Sequence, residues 1–279
     1  MSSTRTLIER FSEVHPLPQV VTTLNRLIAD PESTMKDFEE VISLDQVLVS
    51  RLLRLVNSSY YSLLQRVDSI SRAVAFLGMK NLHNLAVTDA LRRIFTAPAD
   101  GSERFSRKRL WMHSTAVAIC CRMVAERMFS MNGDDAFICG VLHDFGLLVE
   151  EQGKRKVFHE ICRSCSSSSE LLLLEQQSFA TDHCQIGALL TEDWQMGPEI
   201  QQAIRDHHLL AEEIIPESLT GILQIAEYLS SQVERSVLPG VEAVIAPPLL
   251  THLQENIEEY AVLLEDMPEE MARAEAIYH

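Results

Sequence analysis

The chain has 279 residues, of which 46% are hydrophobic and 23% are charged, with only 10 glycines and 10 prolines. This size and composition exclude a disordered or low-complexity protein and allow folding without disulfides. The formal net charge of −16 argues against general binding to nucleic acids or anionic membranes. The acidity is uneven, because residues 1–140 hold 17 basic and 15 acidic residues and residues 141–279 hold 7 and 25. An acidic second half is still suited to binding a cation.

The sequence shows no sign of export or of membrane insertion. The N-terminal segment MSSTRTLIERFSEV lacks the apolar core of a secretory signal. No uncharged apolar run approaches the roughly 18 residues that a membrane-spanning helix needs. The six cysteines lie mostly within apolar helical patterns, as reduced core thiols do. We therefore expect a cytoplasmic protein.

Helical periodicity dominates the chain and alternating strand patterns are nearly absent, so we predict an all-α fold. The first predicted helix follows Pro16 and Pro18, and a glycine, Gly78, separates the last two helices of the first hundred residues. These predicted helices cover Gln19–Ala29, Met35–Ser43, Leu44–Val56, Ser69–Leu77 and Asn81–Phe95. Their short length and their Leu- and Val-rich stripes indicate a compact helical bundle.

A segment rich in turn-forming residues, Thr96 to Ser102, predicts a boundary between subdomains. The next predicted helices run over Lys108–Met128, Asp134–Glu151, Arg155–Arg163, Glu170–Gln177, Thr181–Trp194, Glu199–His208 and Leu219–Val233. The last thirty residues predict an acidic amphipathic helix with a break at Pro268. We therefore divide the chain at residues 100 and 234 into three parts.

Histidines and carboxylates recur at apolar-flanked positions on successive predicted helices. They are His113, His143, Asp144, His183, His207, His208 and Glu227. Imidazole and carboxylate groups are ligands for Zn²⁺, Mn²⁺, Fe or Ni²⁺, and burying them is costly unless they are paired or bound to a metal. The recurrence indicates a metal site, although separate surface or core histidines would give the same residues. The other histidines, among them His83, are expected at the surface.

This order of residues resembles the HD superfamily of metal-dependent phosphohydrolases. Residues from about Val14 to Ser230 more closely resemble the HDOD (HD-related output domain) family. The resemblance is carried by LLRLVNSSYY at 52–61, Trp111 with His113-Ser114, GVLHDFG at 140–146, Asp182-His183 and His207-His208.

The resemblance implies an HD-domain-like, multi-helical fold in three parts. Residues 1–100 would form an N-terminal helical bundle subdomain, residues 101–234 an HD-like subdomain, and residues 235–279 an acidic helical C-terminal extension. The seven residues named above would hold one or two divalent transition metal ions (Fe, Mn, Zn or Ni). HDOD proteins are regarded as bacterial signalling or regulatory modules that act through protein partners, without demonstrated hydrolase chemistry.

Two departures from the related HD-GYP enzymes weigh against catalysis. Leu147 stands where those enzymes usually carry a lysine, and Arg109 stands where they carry a glutamate. No Gly-Tyr-Pro follows His208. We therefore favour a regulatory module, and the alternative is a metal-dependent phosphohydrolase acting on a small nucleotide or phosphoester. Arg109 could bind a small anion, and the acidic tail could mediate a homodimer.

Overall fold

A computed structural model describes residues 3–15, 18–57, 67–95, 104–233 and 235–278 of the chain. Within these residues the structure is helical, without strands, and the extended segments make one isolated β-bridge, between Ser167 and Glu242. The α-helices are α1 Ser3–Val14, α2 Gln19–Ala29, α3 Met35–Ser43, α4 Gln46–Val56, α5 Ile70–Phe95, α6 Arg107–Met123, α7 Asp134–Leu142, α8 Gly146–Gly153, α9 Arg155–Ser164, α10 Ser168–Phe179, α11 His183–Asp193, α12 Pro198–Asp206, α13 Leu219–Gln232, α14 Pro247–Glu255 and α15 Ile257–Tyr278. A π-helical turn, Val124–Met128, extends α6.

The predicted all-α class is confirmed. None of the helices in the described ranges combines the length and apolar character that crossing a membrane requires. The predicted boundary at Thr96 to Ser102 and residues 58–61, the end of the LLRLVNSSYY motif, lie outside the described residues.

The chain separates into two compact units, one of which spans Leu17–Arg93 and Pro268–His279. In this unit the side chains of Thr34 and Asp45 cap α3 and α4 by accepting hydrogen bonds from backbone N–H groups in the first turn of each helix. Asn57 joins α4 to the chain ahead of α5, because it donates to the carbonyl of Val67 and accepts from the Val67 N–H, each at 2.7 Å. Gly78 has a positive φ of 77° inside α5, where a stop between two helices was predicted.

One histidine of this unit contradicts the expectation of a surface position. His83 is buried, and its Nε2 forms a hydrogen bond with the Asn25 side chain. The burial of His83 could not be predicted, since a buried, hydrogen-bonded histidine and a solvated one can both stand among apolar residues of a helix.

The other unit spans Met1–Pro16 and Ile94–Met267 and contains all the predicted ligand residues. Its first helix, α1, was not predicted. Thr4, Ile8 and Phe11 are buried along one face of α1, and this spacing of three to four residues is the helical signal that was overlooked. Glycines let its other helices pack closely: a Cβ on Gly140 of α7 would lie 2.4 Å from the Cα of Ala118 in α6.

The predicted helix from Asp134 to Glu151 is wrong, because the chain breaks at His143, Asp144 and Phe145 between α7 and α8. The break is a tight turn in which the Phe145 N–H donates to the Leu142 carbonyl at 2.9 Å. This turn places the consecutive side chains of His143 and Asp144 in the core. In a continuous helix two consecutive side chains would point about 100° apart.

The predicted break at Pro268 is also wrong, since α15 continues through it. Proline removes one backbone donor from a helix but leaves the hydrogen bonds of the neighbouring turns intact, so a long helix can pass through it at a cost.

Candidate metal centre

The seven predicted ligand residues converge in one place, although they come from five parts of the chain. His113 lies in α6, and His143 and Asp144 form the turn between α7 and α8. His183 begins α11, His207 and His208 follow the end of α12, and Glu227 lies in α13. Two groups of ligand atoms result, His113–His143–Asp144 and His183–Cys184–His207–His208, with the atoms of each group within 4.8 Å of one another.

The carboxylate of Asp144 lies between the two groups. Its Oδ2 is 3.5 Å from the Nε2 of His113 and 3.4 Å from the Nε2 of His143. Its Oδ1 is 3.5 Å from the Nε2 of His183 and 3.7 Å from the Nε2 of His207. Each oxygen of one carboxylate therefore faces its own pair of imidazole nitrogens. We call the His113–His143 side the first position and the His183–His207 side the second position.

The hydrogen bonds of the first position fix which imidazole nitrogen carries the proton. The Nδ1 of His113 lies 2.5 Å from the carbonyl oxygen of Arg235, and the Nδ1 of His143 lies 2.9 Å from that of Gly140. A carbonyl oxygen can only accept, so both Nδ1 atoms are donors. In the neutral rings the Nε2 atoms therefore carry lone pairs.

The second position follows the same rule. The Nδ1 of His207 donates to the Ile204 carbonyl at 2.6 Å, and the Nδ1 of His183 donates to Oε2 of Glu175 at 2.7 Å. Such outer partners commonly hold the imidazole ligands of a metal in the orientation and tautomer that binding requires.

The approach of two nitrogens shows that the first position needs a positive charge. The Nε2 atoms of His113 and His143 are 3.1 Å apart. Two lone pairs at this distance repel each other, and the repulsion is removed by a proton or by a cation between them. Two ligand atoms that each lie about 2.1 Å from one ion are about 3.0 Å apart in octahedral geometry and about 3.4 Å apart in tetrahedral geometry. The distance between the two Nε2 atoms, and the distances from each of them to Oδ2 of Asp144, are close to these values.

Burial favours the neutral, metal-binding form of several rings. It lowers the pKa of His113 and of His207 to about 4, and it lowers the pKa of His208 well below the usual range. Burial also acts against charge on His143, but the nearby Asp144 carboxylate outweighs it and raises the pKa of that ring. At His183 the neighbouring Cys184 and Glu175 outweigh burial and raise the pKa well above its usual range. His143, His207 and His183 in turn lower the pKa of Asp144, despite its burial, so it stays ionised. An ion would therefore compete with a proton at His143 and at His183.

The side chains of His208 and Glu227 line the side of the centre that opens to the surface. Their Nε2 and Oε1 atoms are 3.8 Å apart. Burial raises the pKa of Glu227 to about 7. With His113 and Asp144, these two residues line a cavity of about 40 Å³, enough for one or two water molecules.

A larger cavity, of about 820 Å³, lies at the surface beside this small one and shares six lining residues with it, among them His113, Ser231 and Glu242. Its lining includes the basic residues Lys108, Arg109 and Arg235. The guanidinium of Arg109 also donates to the Arg104 carbonyl at 2.7 Å, which holds it at the start of α6. Arg109, predicted as an anion-binding residue, is thus placed at the mouth of the centre.

Three buried residues at the centre were not predicted. Glu175 orients His183, as described above. Cys184 has its Sγ 3.6 Å from the Nε2 of His183 and 3.9 Å from the Nε2 of His207, and burial raises its thiol pKa to about 12. Glu150 lies next to Glu175, and burial followed by the Glu175 charge raises its pKa well above the usual range. Only Cys184 stands beside a predicted ligand in the sequence, and that adjacency was the available signal.

The donor set fits one or two divalent transition metal ions. Four imidazole Nε2 atoms face the two oxygens of a buried carboxylate, and the Nδ1 of each of these four rings has an outer hydrogen-bond partner. Nitrogen-rich sets of this kind suit Zn²⁺, Fe, Ni²⁺ and, with carboxylate oxygen, Mn²⁺. The residues alone do not select one ion among these.

Comparison with known proteins finds this fold in solved structures. A protein of Shewanella amazonensis SB2B named as a candidate phosphohydrolase is 26% identical, with a TM-score of 0.69 over 97% of both chains. A candidate signal transduction protein of Marinobacter aquaeolei VT8 is 24% identical and shares the fold, with a TM-score of 0.74 over 99% of this chain and 65% of its own.

A curated relative, an uncharacterized protein of Treponema pallidum (strain Nichols), is 27% identical over 210 residues. These are 73% of this chain but only 39% of that protein, so the chain spans about two fifths of the length of this relative. The model of the HDOD domain matches residues 14–210, which is more than half of the chain. The chain therefore belongs to the HDOD domain family.

Proposed function

We propose that the chain is a regulatory module of signal transduction whose centre binds one or two divalent transition metal ions. The observation that carries this proposal is the set of four buried imidazole Nε2 atoms directed at one ionised carboxylate, Asp144. Such a set is unfavourable in a protein core unless protons or cations occupy it.

The surroundings of the centre favour binding over hydrolysis. A metal-dependent phosphohydrolase needs positive groups that neutralise the phosphate as charge develops. Leu147, at the place where HD-GYP enzymes carry lysine, is completely buried in α8 and offers no such group. Arg109, which stands where HD-GYP enzymes carry a glutamate, donates a hydrogen bond to the Arg104 carbonyl at the mouth of the centre. The HDOD resemblance points the same way, since that family acts in regulation.

Hydrolysis of a small nucleotide or phosphoester is the second candidate function. It is favoured by the large cavity beside the centre, whose lining includes Lys108, Arg109 and Arg235. A bound divalent ion would act there as a Lewis acid and lower the pKa of a coordinated water. The basic residues of the cavity would hold the phosphate, and the buried histidines would keep their orientation through their Nδ1 partners.

The other predictions remain proposals. We expect the module to act through protein partners in the cytoplasm, and the acidic C-terminal part to cover the domain or to mediate a homodimer. The division at residues 100 and 234 likewise remains a prediction.

The experiment that tests the proposal measures metal content and hydrolysis on the same preparations. The protein is purified without chelator, and its metals are quantified by mass spectrometry of the elements. His143→Ala removes a ligand of the first position, and His159→Ala is the matched control, because His159 is a half-buried histidine outside the centre. Turnover is assayed with bis(p-nitrophenyl) phosphate and with nucleotides.

We expect one or two transition metal ions per chain in the wild type and in His159→Ala, fewer in His143→Ala, and no metal-dependent turnover. Wild-type protein that neither retains nor takes up a divalent metal would refute the metal centre. Hydrolysis that depends on metal and disappears in His143→Ala would establish the second function in place of the first.

A further inference from the structure

Among the described cysteines, Cys184 is the one whose sulfur lies at the centre. All six cysteines are buried and free of disulfides. Only the Sγ of Cys184 belongs to a group of potential ligand atoms, with His183, His207 and His208. Its sulfur lies within 4 Å of the Nε2 atoms of His183 and His207, the same two nitrogens that face Oδ1 of Asp144.

The two positions around Asp144 therefore differ in their chemistry. The first position offers two imidazole nitrogens and one carboxylate oxygen. The second position offers the imidazole nitrogens of His183 and His207, the other carboxylate oxygen and one sulfur, and a nitrogen of His208 lies within 4.8 Å of the sulfur and of these two nitrogens. Cys184 is the second residue of α11, directly after His183, so consecutive residues at the start of one helix supply the sulfur and one of the imidazoles.

We propose that Cys184 is a thiolate ligand of a metal ion at the second position, and that it makes this position prefer a sulfur-binding ion such as Zn²⁺ over Mn²⁺. This inference rests on the metal centre proposed above. When the ion binds, a metal–sulfur bond forms and the thiol proton leaves to solvent, so one proton is released at Cys184 for each ion bound. Thiolate is a soft ligand that zinc accepts readily, whereas carboxylate and water suit Mn²⁺.

A core thiol with no ligand role is the competing explanation, and cobalt distinguishes the two. Co²⁺ takes the place of zinc in many sites, and a Co²⁺–thiolate bond gives a strong charge-transfer absorption band in the near ultraviolet that nitrogen and oxygen ligands do not give. The full-length protein is stripped of metal and titrated with Co²⁺. The absorbance is recorded for the wild type, Cys184→Ser, Cys184→Ala and the control Cys165→Ala, which removes a buried thiol that belongs to neither group of potential ligand atoms.

We expect the band in the wild type and in Cys165→Ala, and its loss in both Cys184 variants. The same variants should lose at least about tenfold of their zinc affinity in a competition titration with a chromophoric chelator, while their Mn²⁺ affinity changes less. Circular dichroism of the metal-free proteins shows whether each variant is folded. If Cys184→Ala does not fold, Cys184→Ser provides the test, because serine is close to cysteine in size.

The outcomes separate this inference from the proposed function. If Co²⁺ binds with a spectrum of nitrogen and oxygen ligands alone, or if the band persists in Cys184→Ala, Cys184 is not a ligand and the metal centre stands without it. If no divalent ion binds to the wild type, the centre itself is refuted, and the role of Cys184 with it.

Discussion

Replacing Glu150 by glutamine should remove a pH-dependent loss of stability. Glu150 lies in α8 with no exposed surface, and neither of its carboxyl oxygens has a hydrogen-bond partner in the described part of the chain. The Oε1 atom of the neighbouring Glu175 also lacks a partner. One proton on Glu150 allows its carboxyl to donate to Glu175, and it removes a buried charge next to another carboxylate. Burial and the Glu175 charge accordingly raise the pKa of Glu150 in the folded protein.

The effect on stability follows from proton linkage. In the unfolded chain the Glu150 carboxyl has its ordinary pKa, about 4.3, and releases its proton above that pH. The folded protein keeps this proton, so between the unfolded and the folded pKa it binds one more proton than the unfolded chain. The free energy of unfolding therefore falls as pH rises through this window, by at most about 1.4 kcal/mol per pH unit. From pH 5 to pH 7 the loss is up to about 2.7 kcal/mol.

Glu150→Gln is neutral at every pH and lacks this loss. The extra amide N–H of glutamine costs about 1–3 kcal/mol if it is left without an acceptor, but this cost does not vary with pH. Urea unfolding of metal-free protein, followed by circular dichroism at pH 5, 6 and 7, should therefore show the variant gaining up to about 2.7 kcal/mol relative to the wild type. The exposed Glu160→Gln is the control and should show no such trend. A difference between Glu150→Gln and wild type that is the same at all three pH values would refute the reasoning.

Three further substitutions test the support of the centre and the stability of the unit that contains Asn57. Glu175→Gln removes the charged acceptor of the His183 ring and should weaken zinc binding about 10- to 100-fold in a chelator competition. Gly146→Ala places a Cβ 2.1 Å from the His183 backbone oxygen, which should cost about 3 kcal/mol or more in urea unfolding and also lower metal content. Asn57→Ala leaves the N–H and carbonyl of buried Val67 unpaired and should cost about 2 kcal/mol of stability with metal content unchanged.

Gly197, a glycine with open space around it, provides the control for Gly146→Ala. A Cβ on Gly197 meets no atom within 4 Å, so Gly197→Ala should change metal content little. Equal losses of metal from the two glycine variants would contradict the role of close packing between α8 and α11. Likewise, metal loss in Asn57→Ala would mean that a residue outside the unit of the centre influences it.

Most helices could be predicted because periodicity and capping are local properties of the sequence. Thr34, Asp45 and Asp182 cap helices close to where the pattern predicted their starts. The turn at His143 and Asp144 was missed because its flanking residues are all apolar and continue the helical pattern. Only tertiary packing, which buries both sides of that turn, reveals why the chain bends there.

The residues of the centre also differ in how far the sequence alone could predict them. The place of His207 and Asp144 at one centre could be predicted, since the order of polar residues along the chain carries the resemblance. Glu175 was missed because it stands in a helical pattern, after four leucines, where a glutamate usually lies on the solvated face. Its role depends on the approach of α10 to the start of α11, which no local pattern encodes.

The orientation of the four imidazoles explains why folding and metal binding should be coupled at this centre. His143 and His207 each follow the end of a helix, and each ring donates to a carbonyl three residues earlier, a group that the end of a helix leaves without a partner. These two rings are oriented by their own helices. His113 and His183 instead donate to the carbonyl of Arg235, 122 residues away, and to the carboxylate of Glu175 on another helix. Each position around Asp144 therefore combines one locally oriented ring with one that depends on tertiary packing, so an ion that binds both rings stabilises the packed state over any state in which the helices are formed but not assembled.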